Sequence, residues 1–199
     1  TYTVPMTVRG DDYKERAEPP NLLFLTMRKP TLVSEDHGTL RLEWVYGVTP
    51  FQIKVMRASD GNEIVSIPGI ATRTKLKCTN FLKNPPESTV EYVFGVDLKI
   101  TGLGRHRILV GDALGNVGSR MIDIVQNEEL GEKWLAKLDQ ENLPEHLVPV
   151  VRVSSLIKNE ENKLLYNARQ VLGPLDGWDY PTRLLGNRLL CNAITSGPH

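Results

Sequence analysis

Two stretches of this 199-residue chain decide its fold: Gly47–Arg57, with the sequence GVTPFQIKVMR, and Gly104–Asn116, with the sequence GRHRILVGDALGN. In each stretch apolar and polar residues alternate, and Gly, Pro or Asn stands where the chain must reverse. A period of two is typical of half-buried antiparallel strands. The two stretches therefore predict facing parts of one β-sandwich, an architecture that more often binds or builds than catalyses.

Outward from these stretches, the same alternation predicts eight strands. They are Leu22–Met27, Thr39–Tyr46, Phe51–Arg57, Glu63–Ile67, Thr72–Cys78, Val90–Ile100, Arg105–Gly111 and Val117–Val125. In the second of these, Leu40, Leu42 and Trp44 share one face, which places that face in a core. Asp60-Gly61 and Leu114-Gly115-Asn116 predict hairpin turns between neighbouring strands.

The residues before and after the strands have a different character. Residues 1–20 are dense in charge and end in Pro19-Pro20, which predicts an extended N-terminal arm. Beyond Val125 the apolar period changes from two to about 3.6, which indicates helices. One helix is predicted around residues 130–138, and a second ends at Gly173-Pro174. Between them, Val148–Val153 is predicted as an edge strand.

The last 25 residues carry more apolar side chains than they can bury alone, so we expect them to dock onto something. The predicted organisation is an N-terminal arm at 1–20, a sandwich at 21–126 and an α-containing C-terminal extension at 127–199 that docks on partner subunits. The candidate docking residues are Trp134, Leu138, Trp178, Tyr180, Leu184 and Leu185.

Charge and cysteine content narrow the classes of partner and compartment. The 24 basic and 24 acidic residues balance, which favours neither nucleic acid nor an anionic membrane as a partner. No apolar run reaches the roughly 18 residues that span a bilayer, and the N-terminus lacks the pattern of a secretory signal. Cys78 and Cys191 lie far apart in different segments, so we expect two free, apolar thiols and synthesis in a reducing cytoplasm.

The two stretches resemble signatures of immunoglobulin-like domains, particularly those appended to structural proteins of tailed bacteriophages and to bacterial surface proteins. Gly47–Phe51 resembles the Gly-Thr-x-Pro-Phe lead into the third strand of that family. Gly104–Asn116 resembles its Gly-x-Tyr-x-Cys-x-Val strand and the turn that follows. The resemblance covers about residues 20–126 and implies a sandwich of roughly 100 residues. The fold class expected is mainly β.

The resemblance also implies a core framework, in which Leu42 and Ile108 occupy the two core cysteine positions and Val55 occupies the core tryptophan position. Aliphatic packing is then expected to replace the family's disulfide, because burying Leu or Ile stabilises by roughly 1.5–3 kcal/mol, similar to a typical disulfide. His106 stands where the family has its corner tyrosine. The complete core framework expected is Leu42, Trp44, Val55, Ile108 and Val110.

No motif in the sequence supports catalysis or a cofactor. The chain contains no phosphate-binding loop, nucleophile elbow, zinc helix or EF-hand loop. We therefore expect no catalytic residue, cofactor or metal. Asp112 with Asn116 offers oxygens for calcium, but Asp in a tight turn more often binds its own backbone. Arg105 and Arg107 are read as a solvated sheet face, and the alternative is a small basic stripe.

These observations favour a non-enzymatic structural protein of a bacteriophage virion, either a capsid decoration protein or another head, neck or tail component. Its expected partners are other virion proteins, with self-association and host-surface contact as further options, and its location is the virion after synthesis in the host cytoplasm. The alternative is an adhesin or carbohydrate-binding module, for which Tyr46, Phe51, Tyr92 and Phe94 are the candidate aromatic residues. An enzyme assembled from distant residues is the third alternative.

Overall fold

The structure is a computed structural model of the whole chain. It describes residues 18–25, 29–34, 39–69, 72–80, 85, 87–100, 102–126, 144, 148, 150–151, 153–154, 165–172 and 180–195. The predicted arm at 1–17 and the helix predicted around 130–138 lie outside the described residues. Within the described part, no helix is long and apolar enough to cross a membrane.

Nine strands in two sheets make up the described body. They are β1 (Asn21–Leu22), β2 (Thr31–Ser34), β3 (Leu40–Val45), β4 (Phe51–Arg57), β5 (Glu63–Gly69), β6 (Thr72–Asn80), β7 (Glu87–Leu98), β8 (Gly104–Gly111) and β9 (Val117–Val125). One sheet has the order β1-β3-β7-β6, and the other has the order β2-β9-β8-β4-β5. Seven of the eight predicted strands are present, and β4 and β9 have the predicted bounds. The remaining one, Leu22–Met27, shares only Leu22 with β1, and its described residues Leu23–Leu25 are not in a strand. β2, which pairs with β9 in parallel, was not predicted.

The strand order is that of an immunoglobulin-like sandwich. The four-stranded sheet corresponds to strands A, B, E and D of that fold, and β9, β8 and β4 correspond to G, F and C. β5 adds one strand beyond β4, as in the variable type. The two stretches that decide the fold are therefore neighbours in the same sheet, since β4 pairs directly with β8. The prediction that they face each other across the sandwich was wrong.

Aliphatic side chains and an aromatic cluster fill the space between the sheets. The five residues of the expected core framework are all buried, and Leu42, Val55 and Ile108 belong to one apolar cluster. The indole of Trp44 lies 5.1 Å from the ring of Phe51 and 6.0 Å from that of Phe94, measured between centroids. Trp44 on β3 is therefore the large aromatic side chain of the core, and Val55 on β4 stands where the resemblance implies the family's tryptophan.

His106 makes the hydrogen bond for which the family uses a corner tyrosine. The ring is buried, and its Nδ1 lies 2.9 Å from the carbonyl oxygen of Gly104, two residues upstream. A carbonyl only accepts, so Nδ1 carries the proton. The position two residues before Ile108 is that of the corner residue, and the bond again returns to nearby backbone.

Two helices, α1 (Leu165–Leu172) and α2 (Tyr180–Thr195), pack on the sandwich. α1 contacts both sheets: Asn167 Nδ2 donates to Leu32 O at 3.0 Å, and the Tyr166 hydroxyl donates to Arg41 O at 3.2 Å. Burial, followed by the negative charge of Glu43, raises the pKa of Tyr166 well above its ordinary value, which keeps this hydroxyl a donor. The predicted edge strand at Val148–Val153 was wrong, because the described residues of that segment are helical.

A buried ion pair joins α1 to the four-stranded sheet. Arg169 Nε donates to Glu43 Oε2 at 2.7 Å, and Arg169 Nη2 contacts Glu43 Oε1. Arg41 Nε lies 3.2 Å from the same Oε1, and Arg41 Nη1 lies 3.2 Å from Asp97 Oδ1. Since Arg169 and Glu43 are only 1% and 4% exposed, each charge depends on the other for compensation.

A disulfide joins Cys78 of β6 to Cys191 of α2, with their Cα atoms 5.4 Å apart. The expectation of two free thiols was therefore wrong. Their sequence separation of 113 residues, which argued against pairing, disappears because α2 folds back over the four-stranded sheet. The described helices of the C-terminal extension are thus anchored to the chain's own sandwich.

Candidate interaction site

The loop before β4 and the turn after β8 lie side by side at one end of the sandwich. The pairing of β4 with β8 begins at Gln52 and Gly111, so the residues just outside the strands must also meet. Ala113 N donates to Val48 O at 2.9 Å, and Val48 N donates to Asp112 Oδ2 at 3.3 Å. The two stretches that decide the fold therefore build one connected rim.

Asp112 holds this rim together. Its Oδ1 accepts from Leu114 N at 3.0 Å and Asn116 N at 2.8 Å, and its Oδ2 also accepts from Asn116 Nδ2 at 3.0 Å. Burial alone would raise the pKa of Asp112, but the hydrogen bonds from Asn116, Val48 and Leu114 outweigh it and lower the pKa below its ordinary value. Both carboxylate oxygens of Asp112 accept hydrogen bonds within the rim. The sequence favoured this role over the binding of calcium.

The backbone of the rim is confined as well. Gly47 has φ of +84°, and a Cβ there would lie 2.8 Å from Phe51 Cε1 and 2.9 Å from Pro20 Cγ. Gly118, at the start of β9, passes so close to the Pro20 carbonyl that a Cβ would lie 2.0 Å from its oxygen. Glycine at both positions lets the chain before β1 pack against the rim, which fixes the rim's shape.

This fixed rim exposes apolar side chains. Leu114 is 61% exposed and Val117 is 55% exposed, and Thr49 and Pro50 are exposed on the adjoining loop. We call these four residues the hairpin-tip surface. Exposed apolar side chains on a loop that a rigid scaffold positions are typical of a contact site.

The outer face of the five-stranded sheet continues from the hairpin-tip surface. Arg105 Nε and Nη2 donate to the Asp123 carboxylate at 2.8 and 3.0 Å, and Lys54 Nζ lies 3.0 Å from Glu63 Oε2. These pairs neutralise most of the charge on the face, which disfavours the basic-stripe alternative. Arg107 is exposed near the middle of the face, between Met56 and Met121 on the neighbouring strands.

The residues singled out for docking in the sequence fall in different places. Leu185 packs within the chain against a cluster that includes Ala168 and Leu172 of α1. Leu184, on the same helix, is 63% exposed. The side chain of Tyr180 and the residues Trp134, Leu138 and Trp178 lie outside the described residues. Leu184 and Leu185 are the two members of this set whose side chains are described, and of these two Leu184 faces solvent.

The sequence reasoning missed the hairpin-tip surface, because it treated residues 114–116 only as a turn. The signal available was Leu114 itself, a large apolar residue inside a turn, followed by Val117 at an outward position of β9. A metal site gains no support from the described part of the chain, where no three His, Cys, Asp or Glu side chains are grouped to hold an ion.

Neither a protein-family model nor a curated protein matches the sequence. Among solved structures, the chain is similar to that of Dpr1 IG1 bound to DIP-eta IG1, with 11% identity over 53% of this chain and 92% of the other and a TM-score of 0.24. It is also similar to the ZIG-8–RIG-5 IG1–IG1 heterodimer, with 14% identity over 52% of this chain and 89% of the other and a TM-score of 0.25.

Proposed function

We propose that this immunoglobulin-like protein is a non-enzymatic assembly component of a bacteriophage virion, a capsid decoration or cement protein or another head, neck or tail subunit. The contact with its partners, other virion proteins, is made by the hairpin-tip surface. The phage assignment rests on the resemblance of residues 47–51 and 104–116 to domains of such proteins. The structural observation that carries the contact is the exposure of Leu114 and Val117 on a rim that Asp112 fixes.

The energetics suit a many-copy assembly. Fully burying a Leu or Val side chain is worth about 1.5–3 kcal/mol, so covering the exposed halves of Leu114 and Val117 contributes about 1–2 kcal/mol each. Because the rim is already ordered, little entropy is lost on binding. A contact of this size is weak for one copy, but a particle that engages many copies gains avidity.

The adhesin alternative requires an exposed aromatic side chain, and its four candidates do not provide one. Phe51 and Phe94 are buried in the sandwich, with ring centroids 4.8 Å apart. Tyr92 is half-buried, and the Arg73 guanidinium lies 3.9 Å from the centre of its ring. Tyr46 is half-buried beside the cluster under α2. Of these four candidate rings, two are buried and two are only partly exposed.

The test is incorporation into purified particles. Phage lacking the coding sequence are complemented with the wild-type chain or with a Leu114→Ser/Val117→Ser variant, and the protein is quantified in particles by mass spectrometry. Losing about 2–4 kcal/mol should reduce incorporation at least about tenfold. Leu103→Ser is the matched control, because Leu103 is also an exposed leucine, 49% accessible, but it precedes β8, whereas the rim follows that strand.

Absence of the wild-type protein from particles, or equal incorporation of all three chains, would contradict the proposal. A glycan array then decides the alternative: binding of the wild-type protein to a carbohydrate supports an adhesin.

A further inference from the structure

The helix α2 covers an apolar patch on the outer face of the four-stranded sheet, which would otherwise be exposed to water. On the outer face of the four-stranded sheet, Val45, Leu76 and Val93 are buried under Leu190 and Ile194 of the helix. In a two-layer sandwich this face would meet water and carry polar side chains. Here the helix acts as a third layer.

The sequence of α2 makes a weak helix. Gly186 lies in its interior and costs about 1 kcal/mol relative to alanine. Its first turn contains Arg183 and no acidic residue, and its last turn contains no basic residue, so the charges do not complement the helix dipole. Its attachment therefore depends on packing against the sheet and on the covalent bond from Cys191 to Cys78.

We propose that the Cys78–Cys191 disulfide is a redox latch, which leaves α2 releasable in a reducing environment and locks it over the four-stranded sheet once the protein reaches an oxidising one. The sandwich forms without this bond, because β3, β7 and β6 are held together by their own pairing. The latch is a property of the isolated chain, so its test is independent of the virion proposal.

The locking step is a thiol–disulfide exchange with a small-molecule disulfide such as oxidised glutathione. Cys191 is half-buried and Cys78 is buried, so the Cys191 thiolate attacks first and one glutathione thiolate leaves. The Cys78 thiolate then attacks the sulfur of Cys191 in this mixed disulfide and displaces the glutathione it carries. Two protein thiols become one disulfide, and one oxidised glutathione becomes two reduced molecules.

Reduction of the disulfide changes which surface of the molecule is exposed to solvent. In the reduced protein α2 can detach locally, and each detachment uncovers Val45, Leu76 and Val93. In the oxidised protein the helix is tied to the edge strand β6 and the apolar face stays covered. The environment thus decides whether this face is available.

Hydrogen exchange of the full chain, oxidised and reduced, tests the latch. On reduction, the amides of α2 should exchange at least about tenfold faster, while those of β4, β8 and β9 remain unchanged. Equal exchange of α2 in the two states overturns the proposal. Equal acceleration of all strands also overturns it, because the bond would then hold the entire fold.

Single-cysteine variants test the order of attack. In oxidised glutathione, Cys78→Ala should acquire one glutathione at Cys191, and Cys191→Ala should be modified at least about tenfold more slowly at Cys78. Equal rates contradict the proposed order. The Cys78→Ala/Cys191→Ala variant is the control, since a reducing agent should not alter its exchange. If that variant does not fold, reduction of the wild-type chain still shows whether the disulfide holds α2 alone or stabilises the entire fold.

Discussion

Replacing Arg169 with methionine should lower the free energy of unfolding by about 3 kcal/mol. The change keeps most of the side-chain volume but leaves the Glu43 carboxylate, 4% exposed, without its main counter-charge. Breaking a buried pair in this way costs about 3–5 kcal/mol. The lower end is expected because Arg41 Nε remains 3.2 Å from Glu43 Oε1 and retains part of the compensation.

A double variant separates the burial of charge from the loss of packing. In Glu43→Leu/Arg169→Met both charges are gone, and Arg41 still has Asp97, 3.2 Å away. Replacing a buried pair with apolar side chains is often neutral or stabilising, so the double variant should recover at least about 2 kcal/mol.

Urea unfolding followed by circular dichroism measures these differences. The control is Arg57→Met, which breaks the exposed pair with Asp60 and should leave the free energy of unfolding almost unchanged, because solvent screens that pair. A cost below about 1 kcal/mol for Arg169→Met, or an equal loss in the double variant, would refute the view that α1 is docked through a buried charge.

Two further predictions concern the rim. Asp112→Asn should cost about 1–2 kcal/mol at pH 7, because charge-assisted bonds from Val48 and Asn116 are weakened. Because the pKa of Asp112 is lowered on folding, its contribution to the free energy of unfolding is complete above the ordinary pKa of 3.8 and is lost as the pH falls through the folded-state pKa. Urea unfolding should therefore show the stabilities of the wild type and the variant converging in acid. A constant difference between them would contradict this. Gly118→Ala should lower the stability measured by thermal unfolding by at least about 2 kcal/mol, because its Cβ would lie 2.0 Å from the Pro20 carbonyl oxygen. Ser119→Ala, at an exposed neighbouring residue, is the control. A loss for Gly118→Ala no greater than that of the control would disprove the close approach.

The alternation of apolar residues predicted most of the strands well, because most of them have one face in the same core. Phe51–Arg57 shows this: its inward residues Phe51, Ile53 and Val55 are buried, and Gln52 is exposed. The parallel strand β2 carried no such signal, since four residues are too few for a period to appear.

The third layer could not be inferred from the sequence. Trp44 and Val45 are both buried, on opposite faces of β3. Period-two alternation places the Trp44 face in the core and does not predict the burial of Val45 on the other face. Only the position of α2 explains its burial, and the same position brings Cys191 to Cys78. A helix with weak amphipathicity and an interior glycine gives no indication of which surface it will cover. The excess of apolar residues in the last segment predicts that it docks onto another surface, and the described apolar residues of α2 mostly pack within the chain itself.

The parallel pairing of β2 with β9 has a mechanical consequence. Thr31–Ser34 lies alongside Ile122–Val125 in the same direction. The chain therefore enters β2 at Thr31 and leaves β9 at Val125, at opposite ends of the paired strands. A tension that draws Thr31 and Val125 apart slides the two strands past each other and loads all their hydrogen bonds together. An antiparallel hairpin pulled at its open end breaks its bonds one after another. The pairing of β2 with β9 therefore resists shear when tension acts between Thr31 and Val125.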